Sequence, residues 1–184
     1  RVELLIKMSD LAGLSTNDHP KKILKPLIAG YEEWIINKEV DIDNTVPVSL
    51  RPSARKNIEL CKESLERMKR GLKLLEKKQI LEAFRLANLA ILLQQVNGKD
   101  KRFGVIKDNS ILFDKSFIEN INEEDKVKHA SNSWRAFQIA FILLSIESFV
   151  NEESESREIV DLIWFPTGGG KTEAYLGVAA FQMI

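Results

Sequence analysis

The sequence predicts a mainly α chain: a helical-bundle region followed by one strand–glycine loop–helix unit, the opening of an α/β domain. Three observations carry this. Apolar residues recur at intervals of three and four from Ile58 to Leu75, the spacing of one helix face. A second run, "ILEAFRLANLAILLQQVNG" at 80–98, is apolar nearly all round. Further on, the β-branched and aromatic run "IVDLIWF" at 159–165 leads into "PTGGGKT" and then "EAYLGVAAFQMI".

Taken in order, "ILKPLIAGYEEWII" at 23–36 places Ile23, Leu27, Tyr31, Trp34 and Ile35 on one helical face, with Pro26 expected in the first turn. "DIDNTVPVSLRP" at 41–52 reads as a linker from its Asp, Asn and Pro content. Next comes the clearest helix, with Ile58, Cys61, Leu65, Met68, Leu72 and Leu75 on one stripe and Lys and Glu between them. The run at 80–98 is expected to be the central buried helix, stopped by Asn97-Gly98 and paired with its predecessor as a hairpin in a bundle. Residues 99–130 leave two readings open: two short strands in "KDKRFGVIKDNSILFDKS", or a loop packed through Phe103 and Phe113. "ENINEEDKVKH" is a charged loop. "SNSWRAFQIAFILLSIESF" at 131–149 predicts a helix with Ser and Asn caps and Trp134, Phe137, Phe141 and Leu144 at helix spacing. "NEESESRE" at 151–158 is a polar loop, and "IVDLIWF" a buried parallel strand.

Composition narrows the function classes. With 184 residues, 44% hydrophobic and 29% charged, the chain suits one well-cored domain, or one domain and part of a second. Lys+Arg and Asp+Glu are both 27, which argues against a strongly electropositive nucleic-acid surface over the whole piece, though not against a local patch. The single cysteine, Cys61, forms no internal disulfide, which fits a reducing cytoplasm. Apolar runs such as "LANLAILL" are far shorter than a membrane span, so no membrane role is expected. The chain starts at Arg1 in an apolar run, without Met or a signal-peptide pattern, as expected of a piece of a longer protein.

The glycine loop carries the chemistry. Strand, "PTGGGKT" and helix fall in the order that a phosphate-binding loop needs. Gly168, Gly169 and Gly170 lack Cβ, so the backbone can turn tightly and approach phosphate oxygens. The first N–H groups of the following helix have no intrahelical acceptor and point to the same place, reinforced by the helix dipole. Lys171 brings positive charge to the β- and γ-phosphates, and the Thr172 hydroxyl suits Mg²⁺. The expected ligand is therefore ATP with Mg²⁺, held by Thr167, Gly168, Gly169, Gly170, Lys171, Thr172 and Glu173, with Lys171 and Thr172 as the catalytic pair and Thr172 as the metal ligand. The competing reading, a tight turn with a surface Lys, leaves three consecutive glycines before Lys-Thr unexplained. Gln138, 33 residues before Lys171, can donate to a ring nitrogen of adenine and accept from its amine. Arg135, one turn earlier, is placed to stack on the base or reach a phosphate. Alone, both would read as ordinary helix-surface residues.

"PTGGGKT" with an upstream "R-x-x-Q" resembles motif I and the adenine motif of superfamily 2 helicases and translocases. Phe165 stands where the generic pattern has Gly, a variant of that motor class. "WRAFQIAFILL", "REIVDLIWFPTGGGKTEAYLGVAAF" and, more loosely, "LEAFRLANLAILLQQ" look like the helicase subunit of DISARM antiphage defence systems, with Ala136 where Pro is more usual. The resemblance implies an ATP-driven DNA-binding motor working with a partner subunit. It also implies that residues 1–130 are a helical accessory region and 131–184 the start of a truncated RecA-like lobe. The acidic motif II and the arginine finger would then lie beyond Ile184, leaving the 184 residues inactive alone. Asp161, on the expected strand, reads as structural. The alternative is a helical protein-interaction module whose loop senses nucleotide without translocation.

Other candidates are weaker. Lys62, Arg67, Lys69, Arg70, Lys73, Lys77 and Lys78 are interleaved with Glu59, Glu63, Glu66 and Glu76, the pattern of a solvated helix face. "KDKR" at 99–102, beside Phe103, reads equally as a nucleic-acid contact or a surface turn. His19 and His129 lack partners at metal-ligand spacing, and Cys61, Trp34 and Phe84 read as core.

Overall fold

A computed structural model describes residues 4–98, 103–114, 132–164 and 168–184. Its elements are β1 (Ile6–Lys7), α1 (Met8–Leu11), α2 (Pro20–Thr45), α3 (Arg51–Leu74), α4 (Lys78–Asn97), β2 (Gly104–Lys107), β3 (Ser110–Phe113), β4 (Ser133–Trp134), α5 (Ala136–Val150) and α6 (Lys171–Met183). Short 3-10 turns sit at Val48–Leu50 and Glu155–Glu158. The described residues are mainly helical, as expected.

Helix α2 starts earlier than the sequence pattern indicates. The His19 side chain caps it, its Nδ1 accepting from the Lys21 N–H at 3.1 Å, and Pro20 occupies the first turn. Pro26 therefore lies inside the helix rather than in its first turn, where it cannot donate to the carbonyl one turn back. The buried face runs through Leu24, Ile28, Ile35 and Ile42. Trp34 is not core: it is 45% exposed and stacks on Tyr31, ring centroids 5.7 Å apart. The expected linker also begins later, because 41–45 remain helical. Asn44 and Thr45 donate their side-chain hydrogen bonds to carbonyls four residues back, which suits a helix's final turn.

The α3 stripe forms as expected. Ile58, Leu65, Met68, Leu72 and Leu75 are buried, with Cys61 half-buried against them. The expected α3–α4 hairpin packing is replaced by another arrangement: α3 lies on α2 and α5, while α4 lies on α1 and α6. Helix α5 is therefore the inner helix, touching both α3 and α6. Helix α4 is not buried all round; Phe84, Ala87, Ile91 and Leu92 face inward and Leu86 is exposed. Lys62 and Lys69 on α3 pair with Glu39 and Glu32 of α2 and with Glu59 and Glu66 of their own helix, and these carboxylates raise both lysine pKa values. Such exposed pairs are screened by water and contribute little. Burying one Leu or Ile contributes about 1.5–3 kcal/mol, so the apolar stripes dominate.

A two-residue strand pair not anticipated from sequence fastens the chain's first described segment. β1 runs antiparallel to β4, Ile6 opposite Trp134 and Lys7 opposite Ser133. Helix α5 begins only at Ala136, without the Ser or Asn cap expected, and Trp134 belongs to β4. The indole of Trp134 is buried and donates to Asn88 Oδ1 at 2.7 Å, while Asn88 donates to the Phe84 carbonyl. Strands β2 and β3 form a hairpin through Asp108 and Asn109, both at positive φ. Of the two readings of this region, the strands form and the packed loop does not; Phe103 and Phe113 are exposed. "ENINEEDKVKH", "KDKR" and His129 lie outside the described residues.

The run 159–164 is not a strand. No neighbouring strand among the described residues supplies a hydrogen-bonding ladder, so Val160, Leu162 and Trp164 remain 80% or more exposed. Residues 161 and 163 are half-buried, a two-residue alternation without a sheet. No helix among the described residues is long and apolar enough to cross a membrane.

Two glycines give opposite expectations. A Cβ on Gly71 of α3 would meet the Leu143 carbonyl oxygen of α5 at 2.1 Å, so Gly71→Ala should cost about 1–3 kcal/mol or more in urea denaturation. A Cβ on Gly30 of α2 meets nothing within 4 Å, and Gly30→Ala should add about 0.5–1 kcal/mol. Equal effects would contradict the α3–α5 packing.

Candidate nucleotide-binding site

The inner position of α5 brings its first turn to the glycine loop. Gln138 is 4% exposed, and both ends of its amide are engaged. Its Oε1 accepts from the Arg135 backbone N–H at 2.7 Å, closing the first turn of α5. Its Nε2 donates to the Gly170 carbonyl, also at 2.7 Å. Beside it, Arg135 Nη1 donates to the Gly169 carbonyl at 2.9 Å. Two side chains from one helix start thus hold successive carbonyls of the loop.

The loop has the backbone that its glycines were expected to allow. Gly168 and Gly170 have φ of +82° and +86°, a region in which a side chain is strained. A Cβ on Gly170 would lie 2.6 Å from Gln138 Nε2, whereas one on Gly168 would meet nothing within 4 Å among the described residues. Gly170 caps α6, so Lys171, Thr172 and Glu173 form its first turn, where unpaired N–H groups attract anions. Helix α6 buries Ala174, Gly177, Ala180 and Phe181. At Gly177 the absent side chain lets Ile142 and Trp134 approach closely.

A cavity of about 950 Å³ opens onto this helix start. Its wall includes Arg135, Gln138, Gly168, Gly170, Lys171, Thr172 and Glu173. The structure therefore gathers these sequence-predicted residues around one space, with Gly169 held by Arg135. Thr167 and Phe165 lie outside the described residues. The volume is within the ~300–1,000 Å³ range of small-molecule sites. The positive-φ loop and the cation Lys171 fit a phosphate chain, and hydroxyl and carboxylate oxygens of the kind that Thr172 and Glu173 carry suit Mg²⁺.

Sequence reasoning missed Arg67, which is no part of a solvated face. It is 7% exposed and grips Asp161 with both terminal nitrogens, at 2.7 and 2.6 Å. This pair ties the segment leading into the loop to α3. Two signals pointed to it: a lone Asp inside the apolar "IVDLIWF", and Arg67 standing one turn before the close-packed Gly71. Arg70 likewise reaches Glu147 of α5 at 2.8 Å.

Removing one partner of a buried pair leaves the other charge unpaired, at a cost of about 3–5 kcal/mol. Asp161 is 26% exposed, so Asp161→Asn should cost nearer the lower end of that range in chemical denaturation, whereas Arg55→Ala, which breaks an exposed pair with Asp43, should cost less than about 1 kcal/mol. A loss below about 1 kcal/mol at Asp161 would mean that the pair does not anchor this segment.

No protein-family model matches the chain. It is 35% identical over 160 residues to the DISARM protein DrmA of Bacillus paralicheniformis. The alignment takes in 87% of this chain and 13% of that relative, so the chain spans a small part of the protein it matches. The resemblance carried by its motifs is thus found along nearly its whole length: the chain is similar to a DISARM protein DrmA.

Proposed function

We propose that this chain is the nucleotide-cradle portion of an ATP-dependent nucleic-acid motor of bacterial antiphage defence, a helicase or translocase acting on DNA in the cytoplasm with a partner subunit. The observation that carries the proposal is the loop itself. Two positive-φ glycines open onto the first turn of α6, Lys171 and Thr172 are its first two residues, and a cavity of about 950 Å³ adjoins them. The similarity to DrmA supports the defence context.

Within this reading, residues 1–130 are an accessory helical region and 131–184 the opening of a RecA-like lobe. Backbone N–H groups at 168–172 and the Lys171 ammonium would hold the phosphates, and Thr172 would hold Mg²⁺. The metal, when bound, neutralises charge on the phosphate oxygens. Gln138 and Arg135 serve the site by fixing the Gly170 and Gly169 carbonyls, which leaves these carbonyls engaged away from the phosphates. For Gln138 to read the adenine edge as well, it must release Gly170.

Phosphoryl transfer rests on positioning and electrostatic stabilisation, and this half-site supplies the cradle, a cation and a hydroxyl. In this reading a motif II carboxylate and an arginine finger from elsewhere in the intact protein complete it. A second reading, an interaction module with a nucleotide-sensing loop, draws on the exposed apolar side chains of the β2–β3 hairpin, Ile106 at 78% among them.

In the intact protein, Lys171→Ala should lower ATP turnover at least ~100-fold while leaving the unfolding transition in place. Wild-type turnover by that variant would remove Lys171 from the site. The 184 residues by themselves should hydrolyse ATP only at background rate, and DNA-stimulated turnover by them would contradict the half-site account.

A further inference from the structure

One turn of α3 grips both α5 and the stretch that leads into the glycine loop. Arg67, Arg70 and Gly71 share a helix face, being three and four residues apart. Gly71 admits the Leu143 carbonyl of α5. Arg70 Nε donates to Glu147 Oε2 of α5 at 2.8 Å, and the same oxygen accepts from Ser156 Oγ at 3.1 Å, in the 3-10 turn before the loop. Arg67 reaches furthest. Its two terminal nitrogens donate to the two oxygens of Asp161, and its Nη2 also donates to the Leu144 carbonyl at 3.4 Å. One guanidinium from the helical region thus joins α5 to the chain that enters the loop.

Stability alone is a poor explanation for this pair. Buried charges give up their water, and replacing such a pair with apolar side chains of similar volume is often neutral or stabilising. The cost is higher here because Arg67 Nε is buried without a hydrogen-bond partner. The other residues of 159–164 are apolar, so one more apolar side chain at 161 would have continued the run. What a guanidinium fork on a carboxylate supplies, and an apolar contact does not, is one fixed orientation. Asp161 precedes Gly168 by seven residues, while Arg135 and Gln138 hold the Gly169 and Gly170 carbonyls at the far end of the loop. The loop is therefore set from two sides, and the Arg67 side belongs to no phosphate-binding motif.

We propose that Arg67 is a positioning residue for nucleotide binding: its fork on Asp161 fixes the chain entering the glycine loop, so the helical region sets how tightly the loop holds phosphates. Arg67 does not line the cavity and acts through Asp161. Without the fork, the loop samples orientations that do not bind, and the apparent affinity falls with the fraction of competent loops. This rests on the nucleotide-cradle reading above.

Calorimetric titration of the intact protein, with Mg²⁺, against ATP and inorganic tripolyphosphate, run beside urea denaturation, separates positioning from stability. The double variant Arg67→Met/Asp161→Leu replaces the pair with apolar side chains, so its unfolding midpoint should stay close to or above that of the wild type. Both ligands should nonetheless bind about tenfold more weakly, an equal loss because the pair acts through the phosphate loop and not on the base. Arg67→Lys, which keeps the charge and loses the fork, should weaken both at least about threefold. Arg55→Ala, in the first turns of α3, should leave both within about twofold. Binding within about twofold of wild type in the folded double variant, or in Arg67→Lys should the double variant not fold, overturns the positioning role and leaves the pair an anchor. Weakened ATP with unchanged tripolyphosphate overturns it too, because the effect then does not pass through the loop. Wild-type protein that binds neither ligand overturns the cradle reading, and this inference with it.

Discussion

The buried amide of Gln138 connects the bundle to the loop. One end closes the first turn of α5 and the other holds the Gly170 carbonyl, so the loop cannot move independently of α5. Helix α5 is in turn fixed between α3 and α6. Its distance from α3 is set by Gly71, which admits the Leu143 carbonyl to a space that any side chain would fill. Its contact with α6 is set by Gly177 in the same way, against Ile142 and Trp134. Two small residues therefore bring three helices close enough for one amide to span the remaining gap.

The Arg67–Asp161 pair extends this logic to the segment before the loop. Residues 159–164 have no ladder among the described residues, and their exposed side chains gain nothing from the bundle. What attaches them, beside the half-buried residue 163, is a charge pair whose Arg67 end is buried, in which removing either partner is costly. The helical region thus holds the loop from both sides, through α3 before it and α5 behind it. If the alternating Val160, Leu162 and Trp164 belong to a parallel sheet, as the motif's resemblance implies, that sheet's other strands supply the missing burial.

Much of this was legible in the sequence where local chemistry decides the outcome. The α3 stripe is set by spacing alone, and Gly168 and Gly170 adopt the positive φ that glycine permits most readily. Gln138 and Arg135 are expected to meet the adenine base or a phosphate; in the structure they donate to the Gly170 and Gly169 carbonyls of the loop. The failures share one cause: they depend on which elements lie side by side. Trp34 has helix spacing but sits where, among the described residues, no other element covers that side of α2, and it stacks only on Tyr31 of its own helix. "IVDLIWF" has strand composition but lacks a partner strand among the described residues. Boundaries moved for local reasons instead, as where His19 starts α2 before the first apolar position.

The central claim is that loop 168–172, held by Arg135 and Gln138, is a cradle for the phosphates of a nucleotide. A crystal structure of the intact protein with a non-hydrolysable ATP analogue and Mg²⁺ tests it most directly. The account predicts phosphate oxygens within hydrogen-bond distance of the 168–172 backbone N–H groups and Lys171 Nζ, with the Gly169 carbonyl still bonded to Arg135. An analogue bound elsewhere, with this loop empty, would contradict it.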